Sequence, residues 1–210
     1  VLNGRYGYKI NGSSYALMGT KDFGAGAQCG RSELFESAHY ISLGATVDAQ
    51  KLTAFGIGAP ATDTFAAIAG IKAHAFCAVQ DAATAKLARA LNNFIDISSD
   101  GADWSGSDFE VGDSSFAITD LLSAPGEIIV IRPDGARRFN MSGSAFEVTG
   151  FEARNSSADV TLGSNSHGHG PYWYWVHSTG LGRGSGALFD WIGPDSDPEY
   201  ATLINQGTPF

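Results

Sequence analysis

The segment from His167 to Trp191, HGHGPYWYWVHSTGLGRGSGALFDW, constrains this chain more than any other stretch. It carries three of the five histidines, three of the four tryptophans and six glycines. On a strand, successive side chains take opposite faces. Tyr172 and Tyr174 would then share one face, and Trp173 and Trp175 the other. One aromatic pair would be buried, and the other would form a stacking platform for a sugar or a neighbouring subunit. Tyr172, Trp173, Tyr174, Trp175, Arg183 and Trp191 are therefore the expected ligand or partner surface. The glycine-rich run from Gly180 to Gly186 follows no strand-to-helix pattern that would cradle a phosphate, and it reads as a loop.

His167 and His169 form an H-x-H pair, which on a strand suits two ligands of one metal, with His177 as a third. Glycine on both sides of His169 makes ordering such a site costly. The favoured reading is a turn with exposed histidines, and no tightly bound transition metal is expected. Asp96, Asp100, Asp103 and Asp108 lie close together among serines and glycines, with Glu110 and Asp113 beyond them. Carboxylates on a loop suit calcium. The EF-hand spacing is absent, so a solvated acidic loop is the plainer reading, and calcium is the one cofactor worth considering. Asp195, Asp197 and Glu199 make a smaller version of the same case.

Composition sets the class. The chain has 210 residues, 43% of them hydrophobic and 17% charged, with 27 glycines. Low charge with abundant aromatics excludes a disordered chain. It suits a surface built from small polar groups, as in secreted proteins and packed assemblies. A net charge of −9 argues against nucleic-acid binding, which needs clustered Lys and Arg. Arg132, Arg137 and Arg138 form the one compact basic group and read as a solvated hairpin. No apolar run is long enough to span a membrane. The sequence begins at Val1 with no basic-then-apolar leader, which reads as a processed chain or a fragment. Cys29 and Cys77 are either one disulfide or two buried thiols. Asn11, Asn140 and Asn155 lie in N-x-Ser sequons.

Along the chain, Tyr6, Tyr8 and Ile10 alternate as a strand before an Asn11-Gly12 turn. Segments 32–40 and 46–55 read as short helices. Ile71 to Val79 alternates as a strand. Asp81 then caps a helix over about 81–95, with Leu87, Ala88, Leu91, Phe94 and Ile95 on one stripe and Lys86, Arg89, Asn92 and Asn93 on the other. Glu127 to Phe139 is a hairpin around Pro133-Asp134-Gly135. Residues 146–149 and 159–162 read as further strands. No internal repeat is visible.

These readings predict a single α+β domain over 1–210, strand-dominated, with the long amphipathic helix packed on an antiparallel sheet. Helix clusters in a half spanning about 30–95, and the β-rich half covers about 96–210. Strong catalytic motifs are missing, and no carboxylate pair such as Glu33 with Glu36, or Glu127 with Glu147, has a fixed separation. The function expected is a non-enzymatic structural or binding protein of an extracellular, virion or other particle assembly. Its partners would be copies of itself or other subunits. The alternative is a secreted carbohydrate-binding module or glycan hydrolase using the aromatic segment.

Overall fold

The computed structural model describes residues 2–3, 5–10, 17–28, 30, 32–54, 64–81, 84–105, 108–124, 127–133, 135–142, 145–152, 166–169, 172–177, 180–185 and 188–192. Among them there is no helix, and the chain is a succession of antiparallel sheets. Sheet 1 holds β1 (Leu2–Asn3), β2 (Tyr6–Ile10) and β3 (Leu17–Asp22). Sheet 2 holds β4 (Ser32–Phe35), β5 (Ala38–Ile41), β6 (Gln50–Ala54) and β7 (Thr64–Ala67). Sheet 3 holds β8 (Ala75–Asp81), β9 (Thr84–Leu91), β10 (Phe94–Ser98) and β11 (Phe109–Glu110). Sheet 4 holds β12 (Asp120–Ala124), β13 (Glu127–Arg132), β14 (Gly135–Ser142) and β15 (Ala145–Glu152). Sheet 5 holds β16 (Ser166–His169), β17 (Tyr172–His177), β18 (Gly180–Ser185) and β19 (Leu188–Ile192).

Within every sheet the strands follow chain order. The first strands of neighbouring sheets touch: β4 meets β8, β8 meets β12, and β12 meets β16. Four-stranded meanders packed in sequence through their first strands are arranged as the blades of a β-propeller. The repeat is structural, and no sequence periodicity announces it.

The expected helix over 81–95 is overturned. Residues 84–91 form β9 and 94–98 form β10, paired from Phe94↔Leu91 to Ser98↔Leu87. Asn92 and Asn93 make the turn, with Asn92 at φ 53°. Asn tolerates this left-handed region better than most residues. The stripe that mimicked a helix is divided between the two faces of a sheet. Leu87 and Phe76 pack toward sheet 2 with Phe35, Tyr40 and Trp104. Ala88, Ala90 and Ile95 pack toward sheet 4 with Leu121, Ile128, Val130 and Phe139. The short helix expected at 32–40 is β4 with most of β5, and the one expected at 46–55 is a loop followed by β6. The fold is therefore all-β rather than α+β among the described residues.

The hairpin at 127–139 stands, with Ile128↔Phe139 and Arg132↔Gly135 in register. Its arginines are not solvated as a group. Arg132 and Arg138 are buried. Arg138 binds the Glu127 carboxylate through Nε at 2.8 Å and also through Nη2. Arg132 Nη2 donates to the Asp113 carbonyl at 3.0 Å. Residues 6–10 are a strand as expected, and the strand expected over 71–79 is formed from Ala75 onward, with Phe76 as well as Ala75, Cys77 and Val79 buried. The expected strand at 146–149 falls within β15, and the one at 159–162 lies outside the described residues.

Candidate binding site

Sheet 3 presents the described groups with the most chemistry. Arg89 on β9 and Asp96 on β10 are directly opposite each other. Arg89 Nε and Nη2 donate to Asp96 Oδ2 at 3.1 and 2.9 Å, and Nη1 donates to the Lys72 carbonyl at 3.0 Å. The guanidinium lies 5.3 Å from the centroid of Trp104. Trp104 is held by its indole N–H on the Gly101 carbonyl and by Phe76 at 5.9 Å. Burial raises the Asp96 carboxyl above the usual aspartate range, against the opposing pull of Arg89.

Beside this ion pair lies a shallow depression lined by Arg89, Leu91, Asn92, Phe94, Asp96 and Asp108. Phe94 is 38% exposed there, one of two exposed large hydrophobic side chains among the described residues; the other is Leu34. The strand register explains this placement. Phe94 pairs with Leu91 on the same face, at the turn end of the β9–β10 hairpin. Reading 81–95 as a helix hid this surface. The signal that could have shown it is Asn92-Asn93 between two apolar runs, a turn rather than a polar helix face.

The acidic set serves the loop itself. Asp100 Oδ1 accepts from the Ala102 and Asp103 N–H groups at 2.8 and 2.9 Å and from the Ser98 hydroxyl at 2.9 Å. Asp103 accepts from Ser105 N–H, and Asp113 from Ser115 N–H. These bonds hold all three carboxyls below their ordinary range: backbone N–H donors lead for Asp100, and serine contacts lead for Asp103 and Asp113. Asp96 is engaged by Arg89, and Asp108 is exposed at the depression. Among the described residues no three His, Cys, Asp or Glu side chains are grouped to hold a metal ion. Asp195, Asp197 and Glu199 lie outside the described residues.

Sheet 5 places the aromatic segment on strands. The expected loop at 180–186 is largely β18, and the expected turn at the histidines is β16. Register brings Ser166, Trp175, Gly182 and Trp191 into one cross-strand row, and Gly168, Trp173, Gly184 and Phe189 into the next. A second set alternates with these: His167, Tyr174, Arg183 and Asp190 form one row, and the pairs His169↔Tyr172 and Ser185↔Leu188 lie beyond it. His177 is opposite Gly180 and shares the pleat of Trp173 and Trp175. Strand alternation thus puts His167 and His169 in one set and His177 in the other.

β12 of sheet 4 touches β16 and β17 of sheet 5.

Cys77 is buried between sheets 3 and 4, and Cys29 lies outside the described residues. Of the three sequons, Asn140 stands on β14, while Asn11 and Asn155 lie outside the described residues. No helix among the described residues is long and apolar enough to cross a membrane.

No family model and no curated protein matches the chain. Two solved structures are similar in outline. One is the complex of the fission yeast SREBP-SCAP binding domains, with a TM-score of 0.44 and 10% identity, matched over 94% of this chain. This chain spans 62% of that one. The other is the hemopexin fold protein CP4 from cow pea, with a TM-score of 0.31 and 12% identity over 86% of this chain and 96% of that one. At these scores neither likeness carries a functional argument.

Proposed function

We propose that this chain is a non-enzymatic binding module of an extracellular or particle assembly, and that the depression around Phe94 is one of its contact surfaces. The observation that supports this is the exposure of Phe94 beside half-buried Leu91, next to a rigid Arg89–Asp96 pair and the exposed Asp108. An exposed aromatic with polar neighbours is the composition of an interface anchor. The buried charges nearby are spent on structure: Asp96 on Arg89, and Glu127 on Arg138. Low overall charge and abundant glycine suit a surface that neighbouring subunits cover.

The test is sedimentation of the full chain over a wide concentration range, alone and with Phe94→Ser. Concentration-dependent association that the substitution weakens about tenfold or more supports the reading. A chain that stays monomeric at high concentration removes self-assembly as the role of this surface. A second reading is glycan binding, favoured by Phe94 lying beside Asn92 and Asp108, a stacking ring flanked by hydrogen-bonding groups. A glycan array with no binding, or binding unchanged in Phe94→Ser, excludes it at this site.

A further inference from the structure

We propose that the depression at Phe94 seats an arginine side chain of a different subunit, its guanidinium stacked on the Phe94 ring and bonded to Asp108. The proposal rests on the reading of this depression as a contact surface and names its occupant. Strand register lays out the face. Leu87, Arg89 and Leu91 alternate along β9, and their partners on β10 are Ser98, Asp96 and Phe94. Leu87 is buried against Phe35 and Tyr40 of sheet 2, Arg89 and Leu91 are half-buried, and Phe94 is exposed. Sheet 2 thus covers one end of this face and leaves the other open. On β11, Glu110 is directly opposite Phe94, which therefore stands between Leu91 and Glu110. Asp108, two residues before Glu110, lines the depression beside Asp96.

Charge complementarity selects the occupant. Arg89 and Asp96 are paired and cancel each other. Asp108 and Glu110 are both exposed. Glu110 accepts from the Asn93 amide at 3.0 Å, a neutral donor that leaves its charge in place. The rim is therefore negative, and the face of the Phe94 ring is negative as well. A cation over that ring gains from both. A guanidinium suits the place better than an ammonium. It is planar, weakly hydrated, stacks on aromatic faces and forks onto a carboxylate. The same sheet already holds one such arrangement: the Arg89 guanidinium lies 5.3 Å from the Trp104 centroid and is bonded to Asp96. Phe94 with Asp108 offers a second seat of that kind, open to solvent. A second copy of the chain is a poorer occupant. At a net charge of −9 two copies repel, and Arg132 and Arg138 of the compact basic group are buried.

Amide NMR of the full chain tests this with two peptides, acetyl-Leu-Arg-Leu-amide and its uncharged analogue with citrulline in place of arginine. The arginine peptide is expected to shift the amides of Asn92, Phe94 and Asp108. The citrulline peptide, of nearly the same shape, is expected to bind about fivefold more weakly. Asp108→Asn/Glu110→Gln is expected to weaken the arginine peptide about threefold and to leave the citrulline peptide unchanged. Equal affinity for the two peptides overturns the proposal and leaves the depression standing as an apolar contact surface. Undiminished arginine binding in the double variant overturns it too. So does an absence of shifts at Asn92, Phe94 and Asp108 with either peptide. In that case sedimentation of Phe94→Ser decides the contact-surface reading separately, and association lost in that variant assigns the surface to a second copy. If the double variant fails to fold, the comparison of the two peptides on the unsubstituted chain decides alone.

Discussion

Arg89 holds Asp96 across the β9–β10 ladder with two N–H bonds to one carboxylate oxygen, and Asp96 is only 3% exposed. Water does little to screen a pair this deep. Removing one partner leaves a charge in a place built for two. Asp96→Ala is expected to cost about 3–5 kcal/mol, because Arg89 stays at 13% exposure without its anion. Replacing both, as Arg89→Met/Asp96→Leu, is expected to cost much less than the single change. Urea unfolding of the three variants checks the order. A single variant as stable as the double would show that the pair is not coupled.

This ion pair also shows why the sequence misled over 81–95. The spacing of apolar residues separates helix from strand only by reporting which faces are wet. A surface helix has one dry stripe, and a half-exposed strand has one dry face. Strands β8 and β9 have two dry faces, because sheet 3 is packed between sheet 2 and sheet 4. Leu87 and Ala88 are both buried, so alternation vanishes and a 3.6-residue stripe fits as well as anything. Arg89 looked like a solvent-facing residue and is instead stacked on Trp104. The 127–139 hairpin was legible because Pro133, Asp134 and Gly135 mark its turn whatever covers its faces. Phe94 was not legible as a surface residue until the turn at Asn92 was placed.

The alanines of sheet 3 predict a packing effect. Four small residues, Ala75, Cys77, Ala88 and Ala90, stand with Val79 and Ile95 on the sheet 3 side of the contact with Leu121, Ile128, Val130 and Phe139. Small residues on one side admit large ones from the other. Ala88 is 1% exposed, so Ala88→Leu must displace a neighbour. Overpacking of this kind costs about 1–3 kcal/mol. A compensating Ile128→Ala in the same protein is expected to recover part of the loss. Thermal unfolding of the two singles and the double checks it, and additive losses would mean the sheets do not meet there.

His74 predicts a pH dependence. It is 8% exposed, and its ring nitrogens make no well-aligned hydrogen bond among the described residues. Burial, the larger effect, lowers its pKa below the usual histidine range, and the nearby Asn92 amide opposes this weakly. The folded pKa is below the unfolded one, so on acidification the unfolded chain takes up the proton first. Stability is therefore expected to fall as pH drops below about 6.5, by at most about 1.4 kcal/mol per pH unit from this group. His74→Gln is expected to flatten that slope. Urea midpoints at pH 7.5 and 5.5 for both proteins test it, and equal slopes would exclude His74 as the source.

Gly112 and Gly70 separate two reasons for a glycine. Both have left-handed backbones, at φ +67° and +74°. At Gly70 a Cβ would meet nothing within 4 Å. At Gly112 it would press into the guanidinium groups of Arg132 and Arg137. Arg132 is 1% exposed and tied to the Asp113 carbonyl, so it has little room to withdraw. Gly70→Ala is expected to cost only the backbone penalty, about 1–2 kcal/mol. Gly112→Ala must add the displacement of a buried arginine, and is expected to cost more than Gly70→Ala by about 1–3 kcal/mol. Shortening the obstacle tests the cause. In an Arg137→Ala background the extra cost at Gly112 should shrink, while the cost at Gly70 should not change. If Gly112→Ala and Gly70→Ala lower the unfolding midpoint equally, the packing of the 111–113 segment over the two arginines is not what holds Gly112 in place.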